Sequence, residues 1–205
     1  VQLWDLRRAI IPSQDELREA ATHVDWRGVR VWEEGGRHFA QLTDPQAAVD
    51  VGGIAKGWIA DKFTNALAEA GLENFLINLG GNVVAHGEKP GGAAWNIGIR
   101  DPRNEGSIVG AVPLRNASAV TSGIYERCCE VDGTFYHHIL SPETGMPVET
   151  DAAGATVIAD RSVDAEGYST TVLALGTARG LAFAREHPAI RKAIFVTRNG
   201  DVLES

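Results

Sequence analysis

Short apolar runs joined by two-residue turn signals constrain the fold more than any other feature of this sequence. Gly35-Gly36 and Asp132-Gly133 each separate two short strand-like runs, and a third pair occurs around Asn199-Gly200. Such pairs supply the positive φ that tight turns between antiparallel strands require. Because consecutive strands joined in this way pair antiparallel, the sequence predicts an α+β fold with mixed or antiparallel sheets and packed helices.

Helical patterns interrupt these strands. Ser13 and Glu16 have the spacing of a capping box, which predicts a short helix over 13–22. A second helix is predicted from about Ala55 to Gly71, and two more are predicted on either side of Gly176. The apolar stripe of the second helix is expected to consist of Ile59, Phe63, Ala66, Leu67 and Ala70.

The stretch NFLINLGGNVVAHG predicts a buried strand that is interrupted by Gly80 and Gly81. Two glycines inside a strand are typical of a bulge or of a close approach by a ligand or another backbone. Both interpretations remain open from the residues alone.

Composition bounds the class of protein. The 205 residues suffice for one domain over 1–205 with a sizeable core. The formal net charge of −8 argues against a nucleic acid as the partner. No apolar run in the sequence approaches the roughly 20 residues that span a bilayer. Cys128 and Cys129 are expected to be free thiols, because a bridge between neighbours is strained.

Two stretches offer groups that could bind phosphate and a metal ion. In DVGGIAKG, a glycine pair precedes a helix start, and Lys56 adds a positive charge. A glycine-rich turn with a surface lysine explains this stretch equally well. Glu166 and Thr170 are four residues apart and therefore share a helix face, where both oxygens could coordinate Mg²⁺. A Glu–Thr pair near a helix N-terminus is the simpler alternative.

Adjacent histidines at the end of an aromatic run form the third stretch. His137 and His138 would face opposite sides of a strand, so one can pack while the other points into a cleft. Catalysis by a histidine requires a reacting group within hydrogen-bond reach, which the residues alone do not show. The hydroxyls of Thr121 and Ser122, in VTSG, are equally compatible with an ordinary turn.

In the order of these stretches, the sequence resembles the ApbE family of FAD:protein FMN transferases. The resemblance runs through DVGGIAKGWIAD, FLINLGGNVVAHG, WNIGIRDP, AVTSGIYERCCEVDGTFYHHILSPETGMPV and AEGYSTTVLALG. It implies Mg²⁺-dependent transfer of FMN from FAD to a Thr or Ser hydroxyl of a target flavoprotein, with release of AMP. It also implies a location outside the cytoplasm, with the membrane reached only through an anchor that this sequence does not contain.

The resemblance assigns roles to individual residues. His138 matches the catalytic position, and the metal-binding positions are Gly53 (through its carbonyl), Glu166 and Thr170. The expected FAD-contacting residues are Asp50, Lys56, Ile139, Asn78, Gly80, Gly81, Thr121 and Ser122.

This sequence also departs from the family pattern. Glu166 stands where an Asp is usual, and the N-terminal third of the usual fold is not apparent, so FAD affinity is expected to suffer. Two other functions remain open beside the transferase. One is a FAD pyrophosphatase that yields FMN and AMP, and the other is a non-catalytic flavin-binding remnant.

Overall fold

Helices and antiparallel strands alternate irregularly through residues 2–104 and 106–205, which this computed structural model describes. The described helices are Gln14–Ala21 (α1), Ala55–Glu69 (α2) and Ser162–Glu186 (α3). The described strands are Val29–Glu34 (β1), Arg37–Leu42 (β2), Phe75–Leu79 (β3), Asn82–His86 (β4), Trp95–Arg100 (β5), Ile108–Leu114 (β6), Ala117–Gly123 (β7), Cys128–Val131 (β8), Thr134–His137 (β9), Ala152–Ala159 (β10), Lys192–Thr197 (β11) and Val202–Glu204 (β12). The predicted α+β class is confirmed.

The chain divides into two compact units. The first contains Val1–Asp50 and Arg127–Val148, and the second contains Val51–Glu126 and Glu149–Ser205. The expectation of one domain over 1–205 stays a prediction.

Local signals define the elements of the first unit. The capping box of α1 is confirmed: the Glu16 backbone N–H donates to Ser13 Oγ at 3.3 Å, and the Glu16 carboxylate accepts from the Ser13 N–H at 2.8 Å. The Ser13 hydroxyl, 2.7 Å from the Glu16 carboxylate, lowers the pKa of Glu16, and the Ser13 N–H lowers it further. Gly35-Gly36 turns the β1–β2 hairpin and Asp132-Gly133 turns the β8–β9 hairpin, both with positive φ, as predicted. Neither of the two cysteines of β8 forms a disulfide bond, as predicted.

The second unit is built on a six-stranded antiparallel sheet with the order β12-β11-β10-β7-β4-β3. Every residue of β10 is buried, so this strand runs through the core. Helices α2 and α3 pack on one face of the sheet. The β5–β6 pair covers the other face, where Ile99, Val112 and Leu114 pack against Ala119 and Ile158. Strand β6 was not predicted from the sequence, because it contains a glycine and a proline.

Gly80 and Gly81 form a hairpin turn, which corrects the prediction of one strand interrupted by a bulge or by a close approach of a ligand or backbone. Both have positive φ, of 61° and 92°, and they connect β3 directly to its antiparallel neighbour β4. The Gly81 N–H donates to Asn78 Oδ1 at 3.0 Å. Two consecutive residues with positive φ match the twist of the flanking strands, which explains the glycine pair.

The predicted apolar stripe of α2 was wrong. Ile59 and Phe63 are exposed, at 40% and 53%, whereas the buried positions of α2 are Gly57 and Ala60. Ala60 belongs to a cluster with residues of β3 and β4, and of the predicted stripe only Leu67 packs against it. Small residues form the buried face because α2 approaches its neighbours closely, and a pattern of large side chains therefore pointed to the wrong side.

Helix α3 is kinked at Gly176, where the backbone leaves the helical region with φ 77° and ψ 173°. The prediction of two helices that meet at this glycine is therefore confirmed. Asp151 caps the second segment, because its carboxylate accepts the Thr177 N–H at 2.8 Å and also the Thr177 hydroxyl. No helix in the described part of the chain has the length and apolar character that crossing a membrane requires.

This cap predicts a pH-dependent stability. The hydrogen bond from the Thr177 side chain lowers the pKa of Asp151 below its ordinary value of 3.8. A lowered folded-state pKa stabilises the protein above the unfolded value, and that stability is lost as the pH falls through the folded value. We expect the thermal midpoint of the native chain to fall more steeply between about pH 5 and pH 3 than that of Asp151→Asn.

Thermal unfolding at several pH values measures this difference. Asp132→Asn is the control, because it removes one negative charge from a turn whose φ of 51° Asn tolerates equally well. Parallel pH profiles for the native chain and Asp151→Asn would contradict the prediction.

Candidate active site

The N-termini of α2 and α3 meet at Gly57, in the second unit. A Cβ on Gly57 would lie 2.5 Å from the Ser162 carbonyl oxygen and 2.6 Å from Val163 Cα. Asp61, one turn further along α2, accepts the backbone N–H groups of Ser162 at 2.7 Å and Val163 at 3.1 Å. Asp61 therefore caps α3, whose own N-cap residue provides no side-chain cap. These contacts hold the two helix starts together.

Glu166 lies in α3 at this junction and is 3% exposed. One of its carboxylate oxygens accepts the Gly57 backbone N–H, and the other forms an ion pair with the Lys56 ammonium. The Lys56 side chain is 46% exposed, so one face of the pair is open to solvent. A buried carboxylate requires positive compensation, and here a helix N-terminus and an ammonium provide it.

Thr170 follows Glu166 by one helical turn, as the sequence predicted. Its Oγ1 lies 2.9 Å from Ser122 Oγ of β7, and Ser122 Oγ also lies 2.8 Å from Ser169 Oγ. Ser169 in turn donates to the Glu166 backbone carbonyl at 2.9 Å. The predicted metal residues of α3 are thus linked to Ser122 through hydroxyl groups.

The residues present fit a hard divalent cation. In the described part of the chain, the Glu166 oxygen that pairs with the Lys56 ammonium accepts no further hydrogen bond, so a cation could ligate it in exchange for that ammonium. The described residues contain no cluster of three or more His, Cys, Asp or Glu side chains that could hold a metal ion. Glu166 and Thr170 offer a carboxylate and a hydroxyl one helical turn apart, and Mg²⁺ accepts both kinds of oxygen ligand. The metal-binding role of the Gly53 carbonyl, in the exposed turn before α2, stays a prediction.

A cavity of about 170 Å³ lies on the opposite face of the sheet, between the sheet and the β5–β6 pair. The predicted cofactor residues Asn78, Gly81 and Thr121 line it. The Thr121 hydroxyl bonds across the strands to that of Thr156 at 2.7 Å. Burial raises the pKa of Tyr125, another residue of this cavity.

Thr121 and Ser122 therefore belong to different surroundings, although both were expected to contact FAD. Successive residues of a strand point to opposite faces. Thr121 faces the cavity and Ser122 faces α3. Gly80 occupies the exposed β3–β4 turn. The proposed contacts of these residues with FAD stay predictions.

The paired histidines are described within the first unit. His137 is 2% exposed, accepts the Ile139 N–H at Nδ1 at 3.3 Å, and lies near the Phe135 ring, with a centroid distance of 6.0 Å. His138 is half-buried, and its Nδ1 lies 3.2 Å from the Arg127 carbonyl oxygen. An Nδ1–H that donates to this carbonyl makes Nε2 the acceptor nitrogen. The burial of His137 agrees with its predicted packing role, and the catalytic role of His138 stays a prediction.

Two further predicted residues belong to the first unit. Ile139 is 8% exposed, and its carbonyl accepts the Val148 N–H at 2.9 Å. Asp50 is exposed and precedes the turn that leads into α2. Their proposed FAD contacts also stay predictions.

Sequence reasoning missed Asp61 and Ser169, and it did not find the link between Ser122 and Thr170. Asp61 lies four residues after Gly57, so a shared helix face was the available signal. Ser169 had no signal, because its role depends on a carbonyl and on a distant strand.

The junction at Gly57 predicts a stability effect. Alanine is the better helix former by about 1 kcal/mol. At Gly57, however, the added methyl meets backbone atoms that cannot rotate away, so we expect Gly57→Ala to lower stability by about 1–3 kcal/mol. Gly167→Ala is the matched control, since its Cβ would meet only Ile54 Cγ2, at an ordinary 3.6 Å. Chemical denaturation measures both, and a Gly57→Ala protein as stable as Gly167→Ala would contradict the close contact.

Comparison with known proteins decides the family. The model of the ApbE family matches residues 1–195. The chain belongs to the ApbE family. A relative from Treponema pallidum, named FAD:protein FMN transferase, is 40% identical over 96% of this ApbE chain. A relative of the same name from Klebsiella pneumoniae is 40% identical over 80% of it.

Solved ApbE structures share the fold. The ApbE protein of Thermotoga maritima has a TM-score of 0.83 and 30% identity over 95% of this chain. The flavin transferase ApbE of Vibrio cholerae has a TM-score of 0.79 and 28% identity over 96%. This ApbE chain covers 62% and 61% of those two chains. It spans 58% of the Treponema relative and 50% of the Klebsiella relative.

Proposed function

We propose that this chain carries the catalytic groups of an FAD:protein FMN transferase. The reaction moves FMN from FAD to a Thr or Ser hydroxyl of a target flavoprotein, requires Mg²⁺ and releases AMP. FAD and the target flavoprotein are thus its partners, and by analogy with the family it acts outside the cytoplasm.

The arrangement around Glu166 carries this proposal. A buried carboxylate, a hydroxyl one turn away and an ammonium converge where two helices begin. Phosphoryl transfer depends mainly on positioning and on neutralising negative charge as it develops. Helix N-termini and lysine attract phosphate oxygens, while a carboxylate and a hydroxyl hold a hard cation.

Glu166, Thr170 and the Gly53 carbonyl would hold the cation in this proposal. When bound, Mg²⁺ would supply charge neutralisation on the pyrophosphate. The partly exposed Lys56 ammonium would pair with a phosphate oxygen of FAD. The remaining predicted residues contact FAD: Asp50, Asn78, Gly80, Gly81, Thr121, Ser122 and Ile139.

His138 acts on the acceptor hydroxyl. Its Nε2 takes the hydroxyl proton as the hydroxyl oxygen bonds to the phosphorus of the FMN half. The bond from that phosphorus to the bridging oxygen of the pyrophosphate breaks, and the bridging oxygen leaves with AMP. The carbonyl of Arg127, bonded to Nδ1, holds the imidazole in the tautomer that this step requires.

Intact-mass analysis tests the function directly. The chain is incubated with FAD, Mg²⁺ and a target flavoprotein domain, with and without a chelator. We expect the target to gain the mass of one FMN, with AMP released, only when the metal is present. FMN and AMP without an adduct would favour the pyrophosphatase. If neither product forms and FAD does not bind, the proposal fails for this chain.

A further inference from the structure

Four oxygen atoms form a continuous hydrogen-bonded chain beside the proposed metal site. Thr170 Oγ1 lies 2.9 Å from Ser122 Oγ, which lies 2.8 Å from Ser169 Oγ. Ser169 Oγ donates to the Glu166 backbone carbonyl at 2.9 Å. Ser169 is fully buried, so bulk water does not compete for its bonds.

Counting protons fixes the direction of this chain. A carbonyl oxygen only accepts, so the single proton of Ser169 is used on the Glu166 carbonyl. Ser169 must then accept in its bond with Ser122, which uses the single proton of Ser122. Ser122 must therefore accept in its bond with Thr170. The direction runs from Thr170 through Ser122 and Ser169 to the carbonyl.

The neighbouring Thr171 shows the ordinary alternative. Its hydroxyl donates to the Gly167 carbonyl, one turn back in the same helix, at 2.9 Å. Helical threonines commonly make this bond. Thr170 instead pairs with the Ser122 side chain of β7.

We propose that Ser122 is a positioning residue that draws the Thr170 proton toward β7 and thereby directs the Thr170 lone pairs at the divalent cation. A hydroxyl that ligates a cation needs its lone pairs for the metal and an acceptor for its proton. The reverse direction would use one lone pair of Thr170 on Ser122. This inference rests on the proposed function, and it changes the role of Ser122 from FAD contact to support of a metal ligand.

Binding of Mn²⁺ alone, followed by electron paramagnetic resonance, tests the proposal without FAD or turnover. Mn²⁺ prefers the same oxygen ligands as Mg²⁺. We expect Ser122→Ala to weaken Mn²⁺ binding about 10–100-fold, as loss of an outer-shell partner typically does. Ser122→Thr keeps the hydroxyl and should restore binding. Ser169→Ala should also weaken binding, because Ser122 is then free to donate to Thr170.

Ser118→Ala is the matched control, since Ser118 is a buried hydroxyl on the same face of β7 that bonds Ser162 at 3.0 Å. It should leave Mn²⁺ binding unchanged. If Mn²⁺ binding depends on Glu166 but is unaffected by Ser122→Ala and Ser169→Ala, the positioning role is wrong and the metal site stands. If the native chain binds no Mn²⁺, or binding is unchanged in Glu166→Gln, both fail. If Ser122→Ala does not fold, Ser169→Ala decides alone.

Discussion

Glu166→Gln is expected to reduce the rate of FMN transfer at least about 100- to 1,000-fold, because a metal supplies several kcal/mol of charge stabilisation to such a reaction. The amide has nearly the shape of the carboxylate, and its oxygen can still accept the Gly57 N–H, so the fold should persist. The lost charge removes the anionic metal ligand. Transfer measured by intact mass, over a range of Mg²⁺ concentrations, reports the effect.

Two variants make this result specific. Glu186→Gln neutralises an exposed glutamate in the same helix and should transfer FMN like the native chain. Glu166→Asp keeps the negative charge on a shorter side chain. It should therefore be more active than Glu166→Gln, at a Mg²⁺ concentration that differs from the one the native chain requires. Metal-dependent transfer at the native rate by Glu166→Gln would show that this carboxylate holds no catalytic metal.

His138→Ala should reduce the transfer rate about 10²- to 10⁴-fold, the usual contribution of a positioned general base. Mn²⁺ binding should remain, because the proposed metal residues belong to the second unit. Loss of transfer with Mn²⁺ binding retained would separate a role of His138 at the acceptor hydroxyl from a role in holding the metal. Single-turnover rates of FMN transfer and Mn²⁺ titrations measure the two effects.

The controls for His138 come from the other histidines of the first unit. His38 is exposed on β2, so His38→Ala should leave transfer unchanged. His137 is buried, so the main effect of His137→Ala should be a lower thermal midpoint of unfolding. A His138→Ala protein that transfers FMN at the native rate would show that His138 is not the base.

Local signals predicted most of the fold. Capping boxes and turn pairs act through bonds between neighbours, so the start of α1 and the β1–β2 and β8–β9 hairpins could be read from the sequence. The buried face of α2 could not, because the contact of Gly57 with α3 selects small residues there. Strand β6 could not be predicted either, because its proline argues against a strand and its pairing with β5 is a contact between distant residues.

The candidate site divides in the same way. Helical spacing alone placed Glu166 and Thr170 on one face. The partner of Thr170 comes from β7, 48 positions away in the sequence, and no local pattern encodes it. The separation of Thr121 from Ser122 by the alternation of a strand likewise needed the sheet to show which face meets α3.

The backbone N–H of Gly57 offers a spectroscopic reporter of the site. It donates a hydrogen bond to the Glu166 carboxylate, which is 3% exposed. Hydrogen bonds to an ionised acceptor are short and strong, and they shift an amide proton resonance downfield. Glycine amides fall in a sparsely populated region of a ¹H–¹⁵N spectrum. A single cross-peak could therefore follow the charge on Glu166 as Mg²⁺ or FAD is added, with no label beyond ¹⁵N.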